Sequence, residues 1–231
     1  MHRQLIHQSY ECPQWLTYFF VHLGVLVGLA GPKGMMVTHD LRDWAQRQET
    51  SHDYFGHKQP LLIDAFWQIH CDINLQHSPE FEPEQAFTQN KIYQWMEKTW
   101  MWQQLPWAIL LFVMGGLPWV IWGICMRVTV SITGHWLIGY FAHNHGERHW
   151  HVDGASVQGY NIKFTALITM GECWHNNHHA FPGSALLGIE PGQMDPGWWV
   201  LMGLKKMGLV WNIKLPADLP QRNELKFIDL S

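Results

Sequence analysis

The sequence predicts an all-α membrane protein, a transmembrane helical hairpin carrying a helical cap rich in histidine. Three observations predict it. Residues 105–142 hold a single charge, Arg127, in a run of Trp, Val, Ile and Leu. Charged residues make up 15% of the 231, against roughly 25% in an ordinary globular domain, while tryptophan occurs 15 times. Finally, GECWHNNHHAFP at 171–182 crowds His175, His178 and His179 together in a chain with 16 histidines. Low charge with abundant tryptophan suits a membrane interface, where an indole buries its body and hydrates its N–H.

The hairpin is read from its break. GGLP at 115–118 sets two glycines near a proline, a turn signal, and divides the apolar run into helices over 100–114 and 119–143. A soluble helical pair buried on all sides has the same apolarity, and a mean hydropathy of -0.15 does not separate the two. A chain average hides a polar cap sitting on a few spans. Ahead of the hairpin, residues 15–30 (WLTYFFVHLGVLVGLA) are apolar except for His22. This block is shorter than the ~20 residues that cross a ~30 Å hydrocarbon core, so it is expected to lie in the interface or re-enter. Residues 38–57 are polar and predict a surface helix or loop. An irregular soluble stretch over 58–98 ends in a helix start, 160–173 reads as an amphipathic helix closing at Gly171, and 181–217 is a closing segment rich in Pro, Gly and Trp.

Composition also excludes. A net charge of -4 without a Lys/Arg cluster offers no field for nucleic acid. Cys12, Cys71, Cys125 and Cys173 are scattered with no CxxC pair, which argues against a zinc ribbon or a disulfide framework and makes a reducing compartment the default. No secretory signal reads after Met1, because His2 and Arg3 lead at once into polar residues.

The histidines carry the chemistry. Imidazoles are costly to crowd when charged and cheap to crowd when a cation takes their lone pairs. On a helix, His175 and His179 stand one turn apart with His178 beside them, so neighbours on adjacent faces can serve two cations. His2 and His7 form an HxxxxH pair, and His143, His145, His149 and His151 follow the hairpin.

Taken together, HRxxxHxSY at 2–10, THDLRDW at 38–44, HNHGER at 143–148, GECWHNNHHAFPGSA at 171–185 and DPGWW at 195–199 closely resemble the membrane fatty acid desaturases, in particular the delta-9 acyl (stearoyl-type) group. The resemblance runs in order over nearly the whole chain. It implies two iron ions, O₂ as co-substrate and a fatty acyl substrate on coenzyme A or lipid. With no haem or flavin motif, it also implies a separate electron donor of ferredoxin, cytochrome b5 or reductase type. His2 and His7 match the first histidine box, His39 the start of the second, His143 the additional ligand, and His175, His178 and His179 the third; His135 competes with His143. The metal site is expected on the cytoplasmic side of an integral membrane protein. A lipid hydroxylase on the same scaffold and a non-catalytic relative stay open. A soluble zinc hydrolase is disfavoured, since Glu172 precedes His175 without forming HExxH.

Two departures stand out. The second box normally reads HxxHH, and here Arg42 and Asp43 occupy the last two positions. A carboxylate can ligate iron, so Asp43 is a candidate; a guanidinium has no lone pair to offer. His52 and His57 repeat the HxxxxH spacing in HDYFGH and are possible replacements. The family also carries a membrane hairpin ahead of the first box, so residues 1–231 are expected to be a single domain lacking it. Asn176, Asn177, Asp153 and Glu172 are candidates to orient ligands from behind, and Trp198 and Trp199 to anchor at the interface. Ligands of one site share one side of a membrane, which requires an even number of crossings between His39 and His143; the GGLP hairpin supplies two.

Overall fold

A computed structural model describes residues 1–77 and 79–228. In chain order a π-helix, His2–Ile6, precedes α1 (Gln14–Leu26), α2 (Pro32–Gln46), α3 (Asp53–Gly56), α4 (Leu61–His70), α5 (Gln85–Thr88), α6 (Lys91–Thr99) and α7 (Gln104–Val120). A second π-helix, Ile121–Met126, leads into α8 (Arg127–Asn144), followed by β1 (Trp150–Val152), α9 (Ala166–Thr169), α10 (His175–Ala180), α11 (Pro196–Lys206) and β2 (Leu225–Phe227). The chain divides into two units: residues 1, 14–41 and 74–137, and residues 2–13, 42–73 and 138–231.

In the first unit α1 has 13 residues, about 20 Å at ~1.5 Å per residue, too short to cross a bilayer. It stops where Gly28 turns to φ 90°. Val21 and Val25 are wholly buried, while Phe19 and Leu23 are exposed. The stretch Gln104–Asn144 is helical, long and apolar enough to cross a membrane, and Phe112, Val113 and Trp122 are exposed along it. It is interrupted where GGLP predicts: Gly116 is non-helical at φ 68°, ψ -162°. A Cβ on Gly123 would meet the Leu111 side chain, and Arg127 Nη2 donates to Gln104 Oε1 at 2.5 Å. A straight helix would hold the first pair ~18 Å apart, so the helix does not run straight through Gly116. Arg127, the lone charge, is spent on carbonyls and an amide: it also donates to Gly123 O and Leu26 O.

The second unit departs from the all-α expectation. β1 and β2 pair antiparallel with Trp150 opposite Phe227 and Val152 opposite Leu225. Each strand is three residues long, so its pattern is too short to read. Residues 160–173 are not one helix. Asn161 bridges to both Glu147 and Trp174, Phe164 sits at φ 70°, and only Ala166–Thr169 is helical. In contrast, α4 forms inside the stretch expected to be irregular, starting after Pro60 at the N-cap. Its Leu62, Ile63 and Phe66 are exposed.

Arg3 organises this unit. The π-helix is buried at this side chain, whose guanidinium donates to both Asp195 oxygens, Glu172 Oε1, Ala185 O and Met170 O. Asp195 in turn N-caps α11 by accepting from Trp198 N and receives Leu187 N. Gly171 lies at φ 89°, and a Cβ there would run into Asp195 and Arg3. The GE at the start of the third histidine motif is thus fixed by packing against a buried ion pair.

Candidate metal centre

Six of the sequence-predicted histidines gather in the second unit as two groups of three. His143, His175 and His179 form one, with their donor atoms all within 4.8 Å of one another, and the donor atoms of His2, His7 and His178 lie equally close. The helix α10 builds both. His175 and His179, four residues apart, face one way with Nε2 atoms 3.0 Å apart; His178 faces the other group, its ring centroid 4.7 Å from those of His2 and His7.

Ring orientation is set from behind. His143 Nδ1 donates to Gly139 O at 2.7 Å, which leaves its Nε2 lone pair toward His175 Nε2, 3.1 Å away. His2 Nδ1 donates to Glu172 Oε2 at 2.8 Å, which leaves its Nε2 facing His7 Nε2 at 3.2 Å. Glu172 is shared between His2 and Arg3, accepting from one at Oε2 and from the other at Oε1. Burial alone would raise its carboxyl; His2 and Arg3 together drive it well below the usual carboxylate range. His178 is buried, and that burial, with the imidazoles of His7, His2, His175 and His179, holds it well below the ordinary histidine range. It is neutral at physiological pH and keeps a lone pair to donate.

These features fit a metal. Several ring nitrogens converge at about 3 Å, the far nitrogens of His143 and His2 are tied to oxygen acceptors, and a buried imidazole is held neutral. A neutral nitrogen donor set suits a divalent transition ion such as iron or zinc, and among the described residues no carboxylate enters either group.

Of the remaining candidates, Asp43, His52, His135 and Asp153 join neither group among the described residues. His39 lies on α2 in the first unit with Nδ1 3.4 Å from Asp40 Oδ1. Asp43 is not brought to either group: its carboxylate pairs with Arg47 Nη2 at 3.0 Å, one helical turn along. Arg42 donates to Gln68 Oε1 and lies over the Tyr54 ring. His52 serves as the N-cap of α3, accepting from Tyr54 N at 3.1 Å, and His135 is exposed on α8. His57 does fold back, into a buried position beside His143. Asp153 contacts Lys226 and His151 rather than a grouped imidazole.

Asn176 and Asn177 orient the helix rather than the rings. Asn176 accepts from His149 N and Trp150 N and donates to Trp150 O and Gly159 O. Asn177 donates to Leu187 O and Gln193 Oε1. Asn161, which the sequence does not single out, joins them: its side chain donates to Asn177 Oδ1 and accepts from Asn176 N. Gln46 is a second omission, buried, its amide donating to Phe55 O at 2.8 Å and to His143 Nε2 at 3.1 Å. No sequence spacing announces either contact, since each spans a loop.

No family model matches the chain. Among curated proteins it is 32% identical over 227 residues to an sn-1 stearoyl-lipid 9-desaturase of Anabaena variabilis, covering 95% of this chain and 78% of that protein. It is 31% identical over 229 residues to the delta-9 desaturase-like 2 protein of Arabidopsis thaliana, covering 96% and 73%. An acyl-CoA C20 delta5-desaturase of Anemone leveillei is 29% identical over 225 residues, covering 96% and 70%.

Proposed function

The chain belongs to the delta-9-type membrane fatty acid desaturases, and from that premise we propose that it desaturates a fatty acyl chain with O₂ at a histidine-held pair of iron ions. The observation that carries the reading is the use of α10 by both histidine groups: His175 and His179 on one face, His178 on the other. In this reading His2, His7 and His178 hold one ion, and His143, His175 and His179 hold the second. Asp43 is left out, since Arg47 takes its carboxylate.

The overall reaction removes two hydrogens from adjacent methylenes. With O₂, two electrons and two protons it yields the alkene and two waters. The electrons come from a separate carrier of ferredoxin, cytochrome b5 or reductase type. Bound iron supplies the oxidising power, because no amino-acid side chain can take hydrogen from an unactivated methylene. The chain's own part is orientation. Glu172 fixes the tautomer and direction of His2, Gly139 O does so for His143, and the Asn161–Asn176–Asn177 amides hold α10 in phase with both groups.

The protein is membrane-associated. We read 104–144 as a transmembrane hairpin turning at Gly116, with the histidine groups in a cap on the cytoplasmic side. The test is purified protein in detergent, assayed for iron per chain and supplied with acyl-CoA or acyl lipid and a reduced carrier. Two irons and a product two mass units lighter than substrate are expected. A product heavier by one oxygen would assign a hydroxylase instead, and absence of both iron and product would overturn the reading.

A further inference from the structure

The second group has three imidazoles, and Asp43, at a position where the second box normally carries a histidine, is paired with Arg47. A fourth imidazole, outside that 4.8 Å group, stands beside its His143. His57, which the sequence offers only as one of several replacements, is 5% exposed. Its ring lies 5.4 Å from that of His143, with the two planes only 11° apart. Nδ1 donates to Asp64 Oδ2 at 2.8 Å, and Asp64 is wholly buried. A carboxylate behind Nδ1 is the arrangement that fixes a ligating histidine with Nε2 available. His143 shows the same design with a carbonyl, and His2 with Glu172.

Further contacts hold His57 in this place. Its backbone is left-handed, φ 53° and ψ 41°, a conformation that residues with a Cβ seldom adopt and that persists where surroundings impose it. Asn144 Nδ2 donates to His57 O at 2.8 Å, and Lys58 Nζ reaches His143 O. The neighbour of Nε2 is Gly139, where a Cβ would stand 3.2 Å away. A glycine thus leaves room for the imidazole on the same helical turn whose carbonyl orients His143.

We propose that His57, held by Asp64, is a ligand of the second metal ion with His143, His175 and His179, replacing the histidine that the second box lacks. The assignment rests on the metal reading above. The site it describes is all-imidazole, with the charge of Asp64 one hydrogen bond behind the ring rather than on the metal.

The test uses the whole purified chain, stripped of metal and titrated with Co(II), reading metal per chain and the visible ligand-field spectrum. Wild type is expected to take two ions. His57→Ala should lose the second ion or bind it at least tenfold more weakly, with a changed spectrum, while keeping the first. Asp64→Asn preserves shape and serves if His57→Ala does not fold; it should weaken the same ion by about tenfold to a hundredfold. His52→Ala should behave as wild type. Both ions bound by His57→Ala with wild-type affinity and spectrum would overturn the proposal while leaving the metal reading intact. If His175→Ala also changes nothing, or wild type takes no cobalt, the metal reading itself falls, and this assignment with it.

Discussion

Arg3 and Asp195, 192 residues apart in the chain, meet in a two-point ion pair, Nη2 to Oδ1 at 2.9 Å and Nη1 to Oδ2 at 3.1 Å. Both are buried. Arg3 also reaches Glu172, so this pair sets the place of the carboxylate that orients His2. Removing one partner strands a charge, which costs about 3–5 kcal/mol. Asp195→Ala is therefore expected to lower stability by that amount, and chemical denaturation in detergent checks it. Arg3→Lys keeps charge but loses the fork, and should fall between wild type and Asp195→Ala.

Glu172→Gln tests the orientation of His2. The amide can still accept from Arg3 Nε, but it no longer offers His2 a carboxylate. Metal affinity of the His2 group should drop by about tenfold to a hundredfold, with helicity kept and the melting temperature lowered by the loss of the carboxylate's charge beside Arg3. Isothermal titration with Co(II) would reveal it; unchanged affinity would remove Glu172 from the site.

The metal-free protein should be acid-sensitive in two steps. His178 is held well below the ordinary histidine value of 6.5, by burial first and then by its imidazole neighbours, and His57 shifts the same way through burial. The unfolded chain takes up protons at these positions at a pH where the folded chain does not, so stability falls as pH drops below about 6.5. Glu172 contributes stability above the ordinary carboxylate value of 4.5, and that contribution fades as pH falls below it. Melting temperature against pH for the apo-protein should show both declines. His178→Asn should flatten the upper one.

Asn176→Ala would leave the N–H groups of His149 and Trp150 and the carbonyl of Gly159 without their side-chain partner. Each buried polar group left unpaired costs about 1–3 kcal/mol. A loss of several kcal/mol is expected, larger than for Asp153→Ala, whose carboxylate makes exposed contacts only. Comparative thermal melts decide between them.

What the sequence discloses follows the reach of each interaction. The break at Gly116 is legible because two glycines near a proline act locally. The division of labour within HNNHH is legible because helical phase follows from spacing. The pairing of Asp43 with Arg47 was also within reach, being an ordinary i, i+4 contact on α2. Other features depend on the closed fold. His57 reaches His143 from 86 positions away, and Gln46 does so from the end of α2. β1 and β2 are too short to show an alternation, and the amphipathic look of 160–173 yields to the bridges at Asn161.

The two faces of α10 make that helix a ruler of angular position. Each residue advances the helix by about 100°, and between His175 and His178 there are only two residues. A single inserted or deleted residue there would swing His178 and His179 away from their partners together, uncoupling both groups in one event. Substitution at Asn176 or Asn177 loosens the helix but preserves its phase. The segment is thus far less tolerant of a change in length than of a change in composition, a contrast that a library of point variants and single-residue indels across 174–180 would display directly.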